Sequence, residues 1–351
     1  KEEVMNLKRI AVVCSMVLCT AGIISAQTVW EPGNPVLPPG DPGEWDEGGC
    51  MILAVIFDGS IYHLWYEGLS TGGYWRDIGH ATSPDGVTWT KAAGPVLTRG
   101  GAPGGWDDAN VCGSAVIWDG ALFHMWYEGS ATDGVGRACY ATSPDGDVWT
   151  KHACNLPGLE PGVPNDWDID AVRPKTVVVE GGTYRMWYTG MKILPSPVGT
   201  TGVVGYAESF DGINWTKRPD PVLEPADGTW EEEMTVAPHV IFDGTSYHMF
   251  YMGGTEDYPP TIRHSIGYAF SADRIHWYKS TANPIIEVDP GFTLMAPVSF
   301  DGSTWHMWYS HTSPSGWTPI LVSYATSTCC AGLFGDGFET GDTSAWSQSV
   351  P

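Results

Sequence analysis

The chain has 351 residues, of which 42% are hydrophobic and 12% aromatic, and its formal net charge is −24. This apolar content suffices for a packed core, while the acidic balance argues against nucleic acid or an anionic membrane as a partner. The composition suits an extracellular protein whose ligand is neutral or cationic.

Residues 1–26 have the organisation of a secretory signal peptide whose start is Met5. A basic segment that begins at Met5 precedes an apolar run over residues 10–24, and small residues up to Ala26 form a suitable cleavage site. The apolar run is shorter than the roughly 18 residues of a membrane helix. We therefore expect a secreted protein without a membrane span.

Residues 27–328 repeat one pattern five times. Each copy has an acidic residue before Gly and, seven residues later, an aromatic pair that ends in Tyr. The pairs, at spacings of 61, 61, 63 and 58 residues, are Trp65-Tyr66, Trp126-Tyr127, Trp187-Tyr188, Phe250-Tyr251 and Trp308-Tyr309. Such regularity in short apolar runs and Gly turns is typical of stacked or radially arranged units.

Each copy contains four strand-like runs, which in the first copy are residues 51–57, 62–67, 78–82 and 88–91. Asp58-Gly59 between the first two runs predicts a tight hairpin. A Ser-Pro-Asp-Gly turn and Trp89 follow the third run and resemble the Asp-box of propeller sialidases; we interpret them as structural. Four strands in about 60 residues suit a blade better than a solenoid repeat. The predicted fold is all-β, a five-bladed β-propeller with four-stranded blades.

The fifth copy is incomplete, because it stops at Ser327 before its fourth strand. Residues 30–37 match residues 89–97, which include the fourth strand of the first copy. We therefore expect the N-terminal strand to complete the last blade and close the ring, which removes open sheet edges. Residues 329–351 form a Gly-rich acidic C-terminal tail that we place outside the propeller.

Secretion permits disulfides. Cys139 and Cys154 flank a turn between the third and fourth strands of the second blade, and we predict that they are bonded. Cys50 and Cys112, near the starts of neighbouring inner strands, are a second candidate pair, and Cys329-Cys330 is either a vicinal bridge or free. No Cys/His spacing supports structural zinc.

The second strands, with Tyr-His-Leu-Trp-Tyr over residues 62–66 and Tyr-His-Met-Phe-Tyr over residues 247–251, resemble the five-bladed propeller glycoside hydrolases of the arabinanase/xylosidase and invertase/levansucrase types. The resemblance covers residues 30–327. It implies a carbohydrate substrate and three carboxylates in a central funnel, acting as base or nucleophile, as acid and as orienting group. The family's first acid stands in an Asp-Pro motif on an inner strand. The corresponding positions here are not acidic: Met51 or Ile52, Cys112 or Gly113, Arg173 or Pro174, Val236 or Ala237, and Leu294 or Met295.

Acidic residues near the strand starts fall into two groups. One offset is acidic in all five copies, which indicates a structural role for Asp46, Asp107, Asp168, Glu231 and Asp289. Residues that break the repeat are better candidates for function. The catalytic candidates are Glu47, Asp108, Asp170 and Glu233. The substrate-binding candidates are Arg173, His239, Glu67, Glu128, Trp75 and Trp317. Lys175 also breaks the repeat, without an assigned role.

The sequence leaves three functional hypotheses. The first is a glycoside hydrolase-like enzyme with an acidic central funnel, acting on an oligo- or polysaccharide. The second is a non-catalytic, lectin-like propeller, and the third is an extracellular structural or surface protein. His239 is either a core imidazole or a ligand to water or a metal in the channel. A channel-bound Ca²⁺ ion is the one cofactor candidate, and we expect a monomer.

Overall fold

The computed structural model describes residues 35–70, 76–194, 200–255, 263–287, 292–302, 304–312 and 319–327. Within these ranges the regular structure is entirely β, and no helix is long and apolar enough to cross a membrane. The predicted signal peptide, Trp30, Asp289, Cys329-Cys330 and the predicted C-terminal tail lie outside the described residues.

The described strands follow the repeat. In chain order they are β1 (Gly49–Phe57), β2 (Tyr62–Leu69), β3 (Arg76–Ser83), β4 (Thr90–Lys91), β5 (Asn110–Trp118), β6 (Phe123–Ser130), β7 (Gly136–Ser143), β8 (Thr150–Cys154), β9 (Ala171–Glu180), β10 (Thr183–Ile193), β11 (Thr200–Ser209), β12 (Trp215–Lys217), β13 (Met234–Phe242), β14 (Tyr247–Thr255), β15 (Arg263–Ser271), β16 (Tyr278–Lys279), β17 (Val298–Phe300), β18 (Trp305–Thr312) and β19 (Ile320–Ser327).

The strands pair as successive antiparallel meanders, one for each copy of the repeat. Four strands form each of the first four meanders, and β17 to β19 form the described part of the fifth. Single parallel pairings such as Gly49 with Ile320 and Gly136 with Ala171 join neighbouring meanders. The first strands β1, β5, β9, β13 and β17 contact one another in succession, and all five line one cavity, which defines the axis of the arrangement.

Local sequence explains the turns on one face of this arrangement. Asp58 Oδ1 accepts hydrogen bonds from the backbone N–H groups of Ser60 and Ile61 at 2.7 and 2.9 Å. Gly59 between them has a φ of 101°, which a residue with a side chain rarely adopts. The Asp-Gly dipeptide therefore fixes the β1–β2 hairpin as the sequence predicted.

The Asp-box-like turn joins each of the first four meanders to a neighbouring meander. In the first copy Ser83 Oγ accepts from the Gly86 N–H at 2.8 Å, and Asp85 Oδ1 accepts from the Thr88 N–H at 2.7 Å. The Gly86 carbonyl then accepts from two indoles, Trp89 of the same meander at 3.1 Å and Trp308 of the fifth at 2.6 Å. The turn is therefore structural, as predicted, and its carbonyl ties neighbouring meanders together.

The same indole-to-turn bond recurs along the chain. Trp65 donates to the Gly146 carbonyl, Trp126 to that of Gly212, and Trp187 to that of Arg274, always in the following meander. The fourth copy has Phe250 at this position, which has no N–H to donate. Its ring packs against Trp305 of the fifth meander. These aromatic side chains form the core between meanders.

The acids repeated at one offset have a common set of partners. Asp107 is fully buried, accepts a hydrogen bond from the Tyr127 hydroxyl at 3.1 Å and forms an ion pair with Lys151. The ion pairs Lys91–Asp46, Lys217–Asp168 and Lys279–Glu231 repeat the arrangement. Each Lys belongs to the fourth strand of the same meander. These acids therefore anchor the outer strand to the start of the inner strand, in agreement with a structural role.

One predicted disulfide is confirmed and the other is wrong. Cys139 and Cys154 are bonded across β7 and β8. Cys50 and Cys112 are both free. They occupy adjacent offsets of equivalent strands, and successive strand residues point to opposite sides. Cys50 therefore lies near Asp46, whereas Cys112 lies near Glu128.

Candidate functional site

A cavity of about 160 Å³ lies on the axis, at the end where the first strands begin. All five meanders contribute to its lining, which is mostly apolar and rich in Met. The charged side chains in the lining are Glu67, Arg76, Glu128, Arg173 and Lys175. We call this space the axial cavity. Three of these five residues, Glu67, Glu128 and Arg173, were substrate-binding candidates from the sequence.

Glu67 has a structural partner as well as an ionic one. Its Oε2 accepts from Arg76 Nη1 at 3.1 Å, and its Oε1 accepts from the Gly113 N–H of the next meander at 2.7 Å. Two other meanders make the second bond with a hydroxyl at the equivalent position. Ser310 accepts from the Ile52 N–H at 2.8 Å, and Thr189 accepts from the Ala237 N–H at 2.9 Å. Glu67 therefore helps to join two meanders.

Glu128 occupies the same position in the second meander but does not accept a hydrogen bond from a backbone N–H of the next meander. The backbone position that donates in the other copies is Pro174 here, which has no N–H. Glu128 Oε2 instead lies 2.9 Å from Arg173 Nε and 3.1 Å from the Cys112 Sγ that donates to it. Glu128 is thus a buried carboxylate inside the axial cavity that contacts the neighbouring meander through the Arg173 side chain and not through a backbone N–H group.

Lys175 enters the cavity from a β-bulge. Pro174 pairs with Tyr188 and Thr176 with Trp187, so the register between β9 and β10 skips Lys175. A bulge re-aims the side chain of its extra residue, and bulges are frequent beside functional sites. Lys175 Nζ lies 3.6 Å from the Met295 sulfur. Among the described residues, the lysine forms no ion pair with a carboxylate.

The electrostatics of the cavity follow from burial and pairing. The Glu67 carboxylate raises the pKa of Arg76, and Glu128 raises that of Arg173 against the opposing effect of burial. Burial raises the pKa of the Cys112 thiol well above its usual range, so the thiol stays neutral and donates. Burial lowers the pKa of Lys175. The cavity therefore holds two ion pairs and the Lys175 amine, whose charged form is disfavoured by the loss of water around it.

The four catalytic candidates do not line the axial cavity. The Glu47 carboxylate accepts from the Gly43 N–H at 2.6 Å, and that of Asp170 accepts from the Ile193 N–H at 2.7 Å. Asp108 is exposed, and Glu233 is half-buried beside the start of β13. The structure therefore does not gather these acids at the axis, and their catalytic role stays a prediction.

His239 lies in a second cavity, of about 310 Å³, at the opposite end of the first strands. Its Nε2 lies 2.8 Å from the Val298 carbonyl, and burial lowers its pKa to about 4. Lys175 lines both cavities. His239 is thus a hydrogen-bonded neutral imidazole, separate from the cluster around Glu128.

The remaining predictions concern loop aromatics and metal. Trp75 and Trp317 lie outside the described residues. No three His, Cys, Asp or Glu side chains cluster as metal ligands within the described ranges. Three cations beside two carboxylates also make the axial cavity a poor site for Ca²⁺, which prefers several oxygen ligands. The predicted channel calcium does not fit these residues.

Sequence reasoning missed two features of the cavity. Arg76 follows a variable loop, and a lone cation after a loop has no distinctive pattern. The neutral thiol of Cys112 was assigned only to a disulfide. Pro174 could have pointed to Glu128 from the sequence. A proline has no N–H to donate, so the acceptor at the equivalent position of the preceding copy must have a different partner.

Comparisons with known proteins place this geometry in context. No protein-family model matches the sequence. An uncharacterised protein of Mycobacterium tuberculosis is 28% identical over 233 residues, which cover 63% of this chain and 73% of that protein. A 1,2-beta-oligomannan phosphorylase of Thermoanaerobacter is 25% identical over 208 residues, which cover 56% of this chain and 62% of that enzyme.

Solved structures extend the comparison to the fold. A thermostable family-43 glycoside hydrolase has a TM-score of 0.63 with 21% identity, covering 83% of this chain and 93% of its own. A structure from the GH130 family of mannoside phosphorylases and hydrolases has a TM-score of 0.64 with 17% identity, covering 85% and 92%. The fold is therefore that of the glycoside hydrolase-type propellers.

We predict that His239 makes the stability of the protein fall between pH 6.5 and pH 4. Its pKa is about 4 in the folded chain and near 6.5 when unfolded, so the unfolded state binds more protons in this range. Stability contributed by the neutral imidazole is present above pH 6.5 and lost towards pH 4. The full effect is roughly 3 kcal/mol at about 1.4 kcal/mol per pKa unit.

Urea unfolding of the wild type and His239→Gln at pH 7 and pH 4.5 measures this contribution. The variant should lose less stability on acidification than the wild type. The exposed His276 provides the control, and His276→Gln should keep the wild-type dependence. Equal acid sensitivity in His239→Gln and the wild type would contradict the assignment.

Proposed function

We propose that this protein is a secreted, carbohydrate-active five-bladed β-propeller with a glycoside hydrolase-like site in the axial cavity. The observation that carries the proposal is Glu128, a buried carboxylate in the lining of the cavity, to which Pro174 offers no backbone N–H. The propeller fold shared with glycoside hydrolases and the sequence likeness to an oligomannan phosphorylase support a glycan as the ligand.

Contacts between the fifth and first meanders support a closed ring of five blades. Trp308 donates to the Gly86 carbonyl, and Ser310 accepts from the Ile52 N–H. Leu37 pairs with Val322 of β19, as Leu97 pairs with Ile78 in the first blade. On this proposal the segment that ends at Leu37 supplies the outer strand of the fifth blade.

In the proposed enzyme, the two buried carboxylates have distinct roles in catalysis. Glycoside hydrolysis employs an acid and a second carboxylate on opposite sides of the scissile bond. Glu128, with Arg173 and Cys112 beside it, takes the role of the reacting carboxylate. Glu67 acts as the second carboxylate and orients the substrate in the cavity. Its two oxygens accept hydrogen bonds from Arg76 and from the Gly113 N–H.

Non-catalytic glycan binding is the second candidate, and one observation favours it. Both carboxylates have a guanidinium partner, at 3.1 Å for Glu67 and 2.9 Å for Glu128. A general acid must begin the reaction protonated, and a guanidinium partner favours the ionised carboxylate instead. The same charged groups then serve to orient a bound sugar.

Secretion as a monomer completes the proposal. The basic and apolar pattern of residues 1–26 supports export, and the Cys139–Cys154 disulfide suits an oxidising compartment.

A glycan array and a panel of chromogenic glycosides test the function. The wild type should bind at least one glycan and release the chromophore from a matching glycoside. Glu128→Gln should lower kcat by about 10²–10⁴-fold, since it removes one acid–base group. The melting temperature should fall as well, because Arg173 loses its ion-pair partner. Glu160, whose side chain is exposed, is the control, and Glu160→Gln should retain full activity.

The outcomes separate the two candidates. Binding without turnover by the wild type, with binding weakened in Glu128→Gln, selects the non-catalytic function. Turnover that survives in Glu128→Gln contradicts the assignment of Glu128. A wild type that binds no glycan contradicts the carbohydrate proposal.

A further inference from the structure

We propose that the axial cavity recognises an acidic sugar, a uronic acid unit whose carboxylate lies on the Lys175 ammonium. The inference rests on the proposed glycan-binding function and gives it a substrate class. It starts from the charge of the cavity. Arg76 and Arg173 are neutralised by Glu67 and Glu128, and Lys175 remains without an ion pair among the described residues.

The sign of this charge is opposite to that of the whole protein. The chain carries a formal net charge of −24, whereas the three basic and two acidic residues of the cavity have a formal charge of 3 − 2 = +1. Lys175 is half-buried, and an ammonium that loses water without gaining an ion-pair partner costs stability. Such groups are typically kept at functional sites. A bound anion would supply the missing partner. This departs from the neutral or cationic ligand expected from overall composition.

The backbone around Lys175 is built to hold the ammonium at the axis. The bulge in β9 directs the side chain into the cavity, where Nζ meets the soft sulfur of Met295 rather than a carboxylate. Space for the ammonium comes from Gly113, where an added Cβ would lie 2.7 Å from Nζ. Gly113 also has a φ of 38°, which favours glycine. Two unusual backbone positions therefore make room for one cation.

The magnitude of the charge selects a monoanion. A sugar carboxylate carries one negative charge and neutralises the cavity. A phosphate group carries about −1.5 to −2 near pH 7 and would leave an excess of negative charge next to Glu67 and Glu128. Phosphate recognition also tends to use guanidinium forks, and both guanidiniums here already have carboxylate partners. The sugar hydroxyls and ring would lie against the Met-rich lining.

The test compares uronate oligosaccharides with their carboxyl-reduced counterparts. Galacturonate- and glucuronate-containing oligosaccharides and the reduced, neutral forms share linkage and shape and differ in the charge alone. Calorimetric titration of the wild type should show tighter binding of at least one acidic form, by about 10-fold or more, and a preference that weakens with salt. Inorganic phosphate is titrated separately.

Lys175→Met removes the charge and keeps a long apolar side chain beside Met295. It should abolish the preference for the acidic form while leaving affinity for the reduced form within about 2-fold. The melting temperature of the ligand-free variant should rise, because the ammonium is desolvated without a partner. Lys192 of β10, whose ammonium donates to the Asn165 carbonyl at the surface, is the control. Lys192→Met should behave as the wild type does.

Each remaining outcome overturns the inference. Equal affinity of acidic and reduced oligosaccharides in the wild type refutes the uronate while preserving a glycan-binding function. Phosphate binding that depends on Lys175, without any preference for a uronate, assigns the cation to phosphate. If neither these oligosaccharides nor any array glycan binds, the proposed function itself fails and the uronate fails with it.

Discussion

Substituting Asp107 by Ala is expected to lower the free energy of unfolding by about 3–5 kcal/mol, the usual cost of removing one partner from a buried ion pair. Asp107 is fully buried and forms an ion pair with Lys151, whose side chain is only 13% exposed. The carboxylate also accepts from the Tyr127 hydroxyl and from the Ala102 N–H, each at 3.1 Å. The variant leaves a cation and two donors without their acceptor.

Urea unfolding of the purified variant gives the change directly. Tyr127→Phe, which removes one hydrogen bond and keeps the ion pair, should cost only about 1 kcal/mol. Asp220, an exposed acid, is the matched control, and Asp220→Ala should change stability by less than about 0.5 kcal/mol. A loss below 1 kcal/mol for Asp107→Ala would show that this repeated acid does not hold the blade together.

Deleting residues 28–37 is expected to cause the other large loss, because the fifth blade of the proposed ring then lacks its outer strand. Leu37 is 1% exposed within a cluster that includes Trp308 and Val322, and the Val36 N–H donates to the Val322 carbonyl at 2.8 Å. The deletion removes this packing and exposes the edge of β19. We expect a lowered melting temperature or failure to accumulate as folded protein.

A milder variant keeps the test informative if the deletion does not fold. Leu37→Ala should cost about 2–5 kcal/mol, as other buried Leu truncations do. Deletion of residues 329–351, which the sequence places outside the propeller, is the control and should leave the melting temperature unchanged. An unchanged melting temperature after deletion of residues 28–37 would contradict the proposal that this segment completes the fifth blade.

The architecture was predictable because it is repeated. A hairpin at Asp58-Gly59 and the turn at Asp85-Gly86 depend on local hydrogen bonds, and their recurrence fixes the strand order without long-range information. The disulfide between Cys139 and Cys154 followed from the same pairing. The Cys50–Cys112 pair failed because a one-residue offset reverses the direction of a side chain.

The site was predictable only in part. Glu67, Glu128 and Arg173 line the axial cavity, because strand ends near the axis converge there. The acids chosen as catalytic, such as Glu47 and Asp170, interact instead with nearby backbone N–H groups. Acids just before a strand satisfy local donors, and a break in the repeat does not distinguish that use from catalysis. The Lys175 side chain points into the cavity because of a β-bulge. A prediction that assumes strict alternation of side chains along a strand does not anticipate a bulge.

The phenylalanine at position 250 bears on how this ring tolerates circular permutation. Every described indole at this position donates to a turn carbonyl in a neighbouring blade. In the proposed ring, the blade after Phe250 is the one that the N-terminal segment completes. A tryptophan there would have no continuous Ser-Asp turn to reach. On the proposal of a closed ring, Phe250 therefore precedes the blade that is built from both ends of the chain. A permutant with its ends moved to another blade junction needs tryptophan at position 250 and tolerates phenylalanine beside the new cut.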